Sequence, residues 1–306
     1  MIAYLIKRLI LALPVFFGIT LVVFGALRLA PGDPALAIAG MDADGAAVEA
    51  IRVEYGLDRP AYEQYATYMG KLLRLDLGRS VITNIPVLEE LTSRFPTTLV
   101  LAVSATIVAT LVGVSLGVLA ARFQRRWIDY LVMILAMGWL SVPNYVLGLL
   151  LILLFAVTLG VLPAIGASTP MHYILPVLTV AAVGAGILAR QTRASMLEVL
   201  SEDYVRTASA KGLASRSVLL HHALRNALIP IVTLVGVIFG NLMAGAVIVE
   251  SVFGIPGIGK LMVDRIHSRD YPTVQGAVLL ISMTYVLVNI LVDLAYVVVD
   301  KRVRLT

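Results

Sequence analysis

Residues 254 to 261 read GIPGIGKL, with Gly254, Gly259 and Lys260 in the register of a G-x-x-x-x-G-K-[ST] phosphate loop. Such a loop cradles nucleotide phosphates on its backbone amides and holds magnesium on its final hydroxyl. Here that position is Leu261, which cannot ligate a metal, and the segment follows an apolar stretch instead of a strand. The plainer reading is a Gly/Pro-rich turn leading into a short amphipathic helix, KLMVDRIHSRD. Other chemistry is scarce. The chain has no cysteine, which removes disulfides, thiolate nucleophiles and cysteine metal sites together. Its histidines, His172, His221, His222 and His267, are too scattered to suggest a metal centre. Asp293 is the one unambiguous charge inside an apolar run, where a buried acid is costly unless paired or hydrated. Asn144, Asn241, Glu250, Gln275 and Asn289 are the other polar candidates, to line a pathway or to pair within a bundle. An intramembrane enzyme would need a Ser with His, or two carboxylates, at membrane depth, and the sequence offers neither.

The elements that carry these residues follow from composition. With 14% charged and 59% hydrophobic residues and a mean hydropathy of +0.93, the chain departs from soluble proteins, which average about 25% charged and 45–50% apolar. Apolar runs long enough to cross a bilayer, roughly 20 helical residues, occur at Leu9–Leu29, Thr98–Ala121, Tyr130–Leu159, Tyr173–Ala189, Ala227–Val249 and Val274–Val299. This predicts an all-α polytopic membrane protein with six transmembrane helices. The third run is about 45 Å long at 1.5 Å per residue, and SVPNY (141–145) breaks it near its middle, so it reads as one tilted or kinked helix. The first run is longer than a signal-peptide core and reads as a retained helix. The small-residue pairs Gly113/Gly117 and Gly236/Gly240 have the G-x-x-x-G spacing that permits close helix contact.

Basic residues set the orientation. With both termini on one side, that side gathers Lys7, Arg8, Arg122, Arg125, Arg126, Arg190, Arg193, Arg206, Lys211, Arg216, Arg225, Lys301, Arg302 and Arg304. Its acids are only Asp129, Glu198, Glu202, Asp203 and Asp300. The termini and the loop from 190 to 226 are therefore expected in the cytoplasm, and GIPGIGKL on the outer face, away from ATP. Arg190 and Arg193 read as headgroup anchors in preference to a gate. The organisation expected is an N-terminal helix at 1–30, an external helical region at 31–97 and a core of five helices at 98–306. In the external region AAVEAIRVEYGL and RPAYEQYATYMGKLLRLDLG have helical spacing and are read as stopped by Gly56 and Gly78.

The cytoplasmic stretch SEDYVRTASAKGLASRSVLLHHALRNALIP, residues 201–230, is the most informative. A helix through Val205 and Ala208 should end at Gly212, preceded by Lys211, as a glycine C-cap. Ser215 or Ser217 would then cap a second short helix through Val218, Leu219, His222 and Asn226. A short helix lying between two spans is shaped to plug into a partner's groove. Arg206, Ala208, Lys211, Gly212, Leu213, Ser215, Arg216 and Leu219 are the expected contact residues: small ones for close approach, cations for charge, leucines as anchors.

This stretch resembles the cytoplasmic EAA loop of ATP-binding-cassette importer permeases, in the form YVRTASAKGL...HALRNALIP of the dipeptide, oligopeptide, glutathione and nickel branch. LAPGDP (29–34), YGLDRP (55–60), LDLGRS (75–80), ILPVLTV (174–180), VFGIPGIGKLMVD (252–264) and RDYPTVQG (269–276) extend the resemblance over nearly the whole chain. HYILP and LSEDYVRTA are similar to the glutathione-type members. Aligned on Gly212, the alanine of the EAA pattern matches Ala208, while its glutamate falls on Arg206 and its second position on Thr207. The resemblance implies the type I importer permease fold and a location in a bacterial cytoplasmic membrane. The implied partners are a second homologous permease, two cytoplasmic ATPases and an external binding protein, with no nucleic acid. It also implies that the chain is no enzyme and holds no cofactor, ATP and magnesium being bound by the ATPases. The expected cargo is a di- or oligopeptide, then glutathione, then a nickel chelate. A secondary transporter is the reading from another class, but it usually shows internal repeats, and the sequence has none apparent.

Overall fold

A backbone in lipid has to satisfy its own hydrogen bonds, so each apolar run is driven into helix. The computed structural model describes residues 2–29, 33–39, 43–54 and 56–299. The helices are α1 (Ile2–Leu29), α2 (Pro34–Ala39), α3 (Gly45–Glu54), α4 (Ala61–Leu72), α5 (Val87–Arg122), α6 (Trp127–Ser141), α7 (Asn144–Leu151), α8 (Ile174–Leu200), α9 (Asp203–Ala210), α10 (Ser215–Ser217), α11 (Arg225–Val252), α12 (Ile258–His267) and α13 (Tyr271–Val299). Among the described residues the only β pairing is an isolated bridge between Arg79 and Pro86.

Three helices, Val87–Arg122, Pro170–Leu200 and Tyr271–Val292, are long and apolar enough to cross a membrane. Two bent pairs, Trp127–Ser141 with Asn144–Thr158 and Ser215–Leu228 with Pro230–Met243, raise the number to five if each is one span, and Ile10–Ala26 is a shorter apolar helix. The third apolar run is therefore no gently kinked rod: its halves meet at 104°. Pro143 forces Val142 into an extended conformation (φ −94, ψ 123) and then serves as the N-cap of α7, so the chain turns between them. After Leu151 the helix widens into a π-turn at Ile152–Thr158.

The chain forms two compact units, one of residues 98–255 with the end of α13 from Leu287, the other of residues 2–97 with 256–286. In the first, α8 is the central helix and packs on α6, α7 and α11. Its buried Leu175, Val180, Ala181, Ala185 and Leu188 form one core with Leu101, Ala105 and Ala109 of α5 and Ile231, Ile238 and Ala246 of α11. The Gly113/Gly117 spacing is used here. A Cβ on Gly113 would lie 2.7 Å from the Ala185 carbonyl oxygen, and one on Gly117 would lie 2.6 Å from that of Ala189. The contact register advances by four residues on both helices, so α5 and α8 run parallel. Helix α6 runs the other way: Gly186 faces the Ala136 carbonyl, while Arg193, seven residues on, reaches back to Asp129. Gly236 is filled by Val292. At the opposite end from Arg193, Thr98 donates a 2.6 Å hydrogen bond to the fully buried Glu250.

Arg193 corrects the sequence reading. It is no headgroup anchor, because its Nε and Nη2 donate to the two Asp129 oxygens at 2.5 and 2.7 Å, and Asp129 is only 2% exposed. The Arg125 amide adds a third hydrogen bond to that carboxylate, at 3.0 Å.

In the second unit, α4 lies against α1, with Tyr65 and Thr20 hydroxyls 2.8 Å apart and Phe24 packed edge-on against the Tyr65 ring. Helix α3 ends just before Gly56 (φ +64), as expected. Helix α4 does not reach Gly78: it stops at Leu72, and Leu75 takes the left-handed turn (φ +59). Asp33 caps α2 through the Ala35 amide and pairs with Arg52 at 2.5 Å. Burial pushes the Asp33 carboxyl up, but the Ala35 amide and the Arg52 guanidinium outweigh it and hold it below the usual range. The stabilisation from this depressed group is present above about pH 4 and is lost as pH falls through its lowered value. Lower amide protection around Asp33 and Arg52 at pH 3 than at pH 7, once each rate is divided by the intrinsic rate at that pH, is the expected observation.

The motifs LDLGRS and RDYPTVQG meet in this unit. Asp270, fully buried, accepts hydrogen bonds from Ser80 Oγ (2.5 Å), Thr273 Oγ1 (2.8 Å) and the Val81 amide (3.2 Å), and caps the start of α13. Beside it Arg265 donates to Glu90 at 2.5 Å. Asp270→Ala removes the acceptor shared by Ser80, Thr273 and the Val81 amide and is expected to destabilise the chain by about 3 kcal/mol. Ser80→Ala, which removes one partner, is expected to cost about 1 kcal/mol. Thermal unfolding in detergent checks the order, with Asp270→Ala melting below Ser80→Ala.

Candidate functional site

The site is the segment from Ser201 to Asn226 at the end of α8. Helix α9 begins where Glu202 adopts an extended conformation and buries Val205 and Ala208 against Val218, Val199 and Leu200. It ends as expected for a glycine cap: the Lys211 amide donates to Thr207 O, the Gly212 amide to Ser209 O, and Gly212 takes φ +77. That conformation is open to glycine at no steric cost. The second helix differs from expectation. Ala214 occupies its N-cap position, no serine side chain caps it, and α10 runs through a π-turn at Val218–Leu224 straight into α11. Only α9 is thus a separate short helix.

Tyr204 and Asn226, which the sequence places on helices without a contact between them, hold α9 in place. Asn226 Nδ2 donates to Tyr204 Oη at 2.6 Å and to His222 O at 3.3 Å, and Tyr204 Oη itself lies 3.4 Å from His222 O. The 22-residue separation of Tyr204 and Asn226 left no local signal.

Of the eight expected contact residues, Arg206, Lys211, Gly212, Leu213, Ser215 and Arg216 are exposed, and Leu213 is 43% exposed despite being a leucine. Ala208 is not part of this face. It is buried because its position in α9 falls on the inward stripe with Val205. Leu219 is half-buried and packs against the cluster of Ala121, Met196, Ala223 and Ala227. A cavity of about 600 Å³ opens between the end of α5 and this segment, with Arg122, Arg206, Ser209 and Ser215 around an apolar floor that includes Leu200, Val205 and Leu219. The segment therefore presents an exposed turn, 211–216, with the cations Lys211 and Arg216 and one exposed leucine, Leu213.

The polar residues proposed for a pathway lie on three helices, α7, α11 and α13. Asn144 opens α7 with its Oδ1 buried and without a hydrogen-bond partner among the described residues. Asn241 is exposed on α11, and Gln275 and Asn289 are half-buried on α13, Gln275 in the second unit. The side chain of Asp293 lies outside the described residues. A second cavity, of about 400 Å³, is lined by Thr106, Thr110, Ile231, Val235, Phe239 and Val292 among others and is apolar. GIPGIGKL is a turn after α11, with Gly254 at φ +63, Gly257 at the N-cap of α12 and Leu261 buried. It has the helix of a phosphate loop but neither its strand nor its hydroxyl.

These features define an all-α chain with several helices long and apolar enough to cross a membrane. The fold is similar to that of the MetNI methionine ABC transporter in inward-facing conformations. The native crystal form gives a TM-score of 0.60 at 18% identity, over 70% of this chain and 97% of that one. The selenomethionine-soaked form gives 0.58 at 19%, over 68% and 95%. Residues 113–305 match the family described as binding-protein-dependent transport system inner membrane component, and residues 1–102 match its N-terminal region family. The chain belongs to that family. It is 44% identical over 304 residues to the glutathione transport system permease protein GsiC of Escherichia coli K12, and to that of Shigella flexneri serotype 5b, covering 99% of each chain in both comparisons.

Proposed function

We propose that this chain is the permease subunit of an ATP-driven importer for glutathione or a closely related short peptide. The observation that carries the reading is the 44% identity to glutathione permeases over 99% of both chains. The exposed turn at 211–216 would seat on a cytoplasmic ATPase, one of two, and ATP and magnesium would be bound there, not by this chain. Lys211 and Arg216 would supply charge and Leu213 the apolar anchor; Ala208 would serve by letting α9 pack closely on its own chain. A second permease would complete the pathway, with Asn144, Asn241, Gln275, Asn289 and Asp293 as its candidate polar lining, and an external protein would deliver the cargo.

Orientation follows from charge. One end of the first unit collects Arg122, Arg125 and Arg126 at the α5–α6 turn, Arg193 at its contact with Asp129, and the 201–226 segment. By the positive-inside rule this end would be cytoplasmic, and the same rule, applied to Lys7, Arg8, Lys301, Arg302 and Arg304, would place the termini there. Six crossings would then be α1, α5, α6 with α7, α8, α11 and α13.

The test is uptake by proteoliposomes containing the permease pair and ATPases, supplied with the binding protein outside. Labelled glutathione should accumulate only with ATP on the face that carries 211–216, and unlabelled glutathione should compete. Competition by dipeptides alone would move the cargo to the peptide class. Uptake by this chain without ATP would make it a secondary carrier.

A further inference from the structure

We propose that Asp129 and Arg193 are positioning residues for transport, forming the tie through which movement of the 201–216 segment passes from α8 to α6. The inference rests on the importer reading above. Helix α8 runs into α9 through only Ser201 and Glu202, whose amides still bond back to Glu198 and Val199. A pull on α9 is therefore a pull on the end of α8. Helix α6 shares no such covalent link; it packs along α8, and two of its contacts are specific in geometry.

One is the backbone approach of Gly186 to Ala136, where a Cβ would lie 2.7 Å from the carbonyl oxygen; the other is Arg193 on Asp129. They are seven residues apart on both helices, about 10 Å at 1.5 Å per residue. The close backbone approach sets the spacing of the two packed helices, and the ion pair, two helical turns further on, sets their register at the end next to 201–216. The tie suits this purpose, because the Arg193 fork engages both oxygens of a carboxylate that is 2% exposed, and such planar pairing resists rotation. The same carboxylate holds the α5–α6 turn, whose Arg125 sits at φ +59, a conformation that non-glycine residues adopt only when their surroundings require it. Asp129 thus joins three elements at the end where the segment would be moved.

The test compares ATP hydrolysis with glutathione uptake in the reconstituted complex. In Arg193→Gln the ATPases should still copurify and hydrolyse ATP, while cargo moved per ATP falls roughly tenfold. Arg193→Lys, which keeps the charge and loses the fork, should fall between. The exchanged pair Asp129→Arg/Arg193→Asp should recover a large part of the lost ratio, a rescue that a purely structural role in stability would not produce in uptake per ATP. An unchanged ratio in Arg193→Gln overturns the tie. So does a proportional loss of hydrolysis and uptake that the exchanged pair leaves unrepaired. Absence of ATP-driven uptake in the unsubstituted complex overturns the importer reading, and the tie with it.

Discussion

Replacing Gly117 with leucine is expected to remove most of the folded chain from the membrane. A Cβ at that position would lie 2.5 Å from Thr192 Cβ and 2.6 Å from the Ala189 carbonyl oxygen, and real Cβ contacts do not come below 3.0 Å. The obstruction is backbone, so a rotamer change gives no relief. Helix α8 has little room to retreat, since its other faces pack on α6, α7 and α11. Overpacking a core costs about 1–3 kcal/mol where side chains can yield. Two helix backbones pressed apart should exceed that, against a total stability of about 5–15 kcal/mol. Gly138→Leu is the control, because nothing lies within 4 Å of its Cβ position. Detergent extraction and size-exclusion chromatography should recover Gly138→Leu at close to the parental yield, and Gly117→Leu mainly as aggregate.

The second large effect concerns transport with the fold intact. Gly212→Trp should assemble with its partners weakly or without productive coupling, and lower ATP-dependent uptake at least about tenfold, the cost of roughly 1.4 kcal/mol at a contact. Gly212 is exposed, and nothing lies within 4 Å of its Cβ position, so the indole meets no atom of its own chain. The φ of +77 adds a backbone cost of about 1 kcal/mol for any side chain. Gly212→Ala carries that same backbone cost without the bulk. A small loss in Gly212→Ala and a large one in Gly212→Trp assign the effect to a partner surface. Equal losses would assign it to strain in the turn, and full activity in Gly212→Trp would remove 211–216 from the coupling contact.

Much of this architecture is legible in the sequence where the signal is local. Apolar length locates the helices, Lys211 and Gly212 mark the end of α9, and the spacing of Gly113 and Gly117 identifies a close helix contact. Pro143 shows where the third run breaks but not that its halves meet at 104°, since the angle depends on what each half packs against. The missing serine cap has a similar origin: packing carries α10 through the π-turn into α11, and Ala214 is left at the N-cap. Ala208 looked like a contact residue because it is small, whereas its partners Val205 and Val218 place it inside. The polar pairs were beyond reach of spacing arguments. Arg193 and Asp129 lie 64 residues apart, and Ser80 and Asp270 lie 190 apart. Each reads as an ordinary charge or hydroxyl until the helices bring it to its partner.

The central claim, that the turn after α9 seats on an ATPase, is tested most directly by placing a photoreactive amino acid at Leu213 and irradiating the complex in native membranes. Tyr62, 72% exposed on α4, serves as the matched control. The account predicts a Leu213 adduct with the ATPase subunit, altered in yield by ATP, and no ATPase adduct from position 62. An ATPase adduct from position 62 and none from position 213 would contradict it.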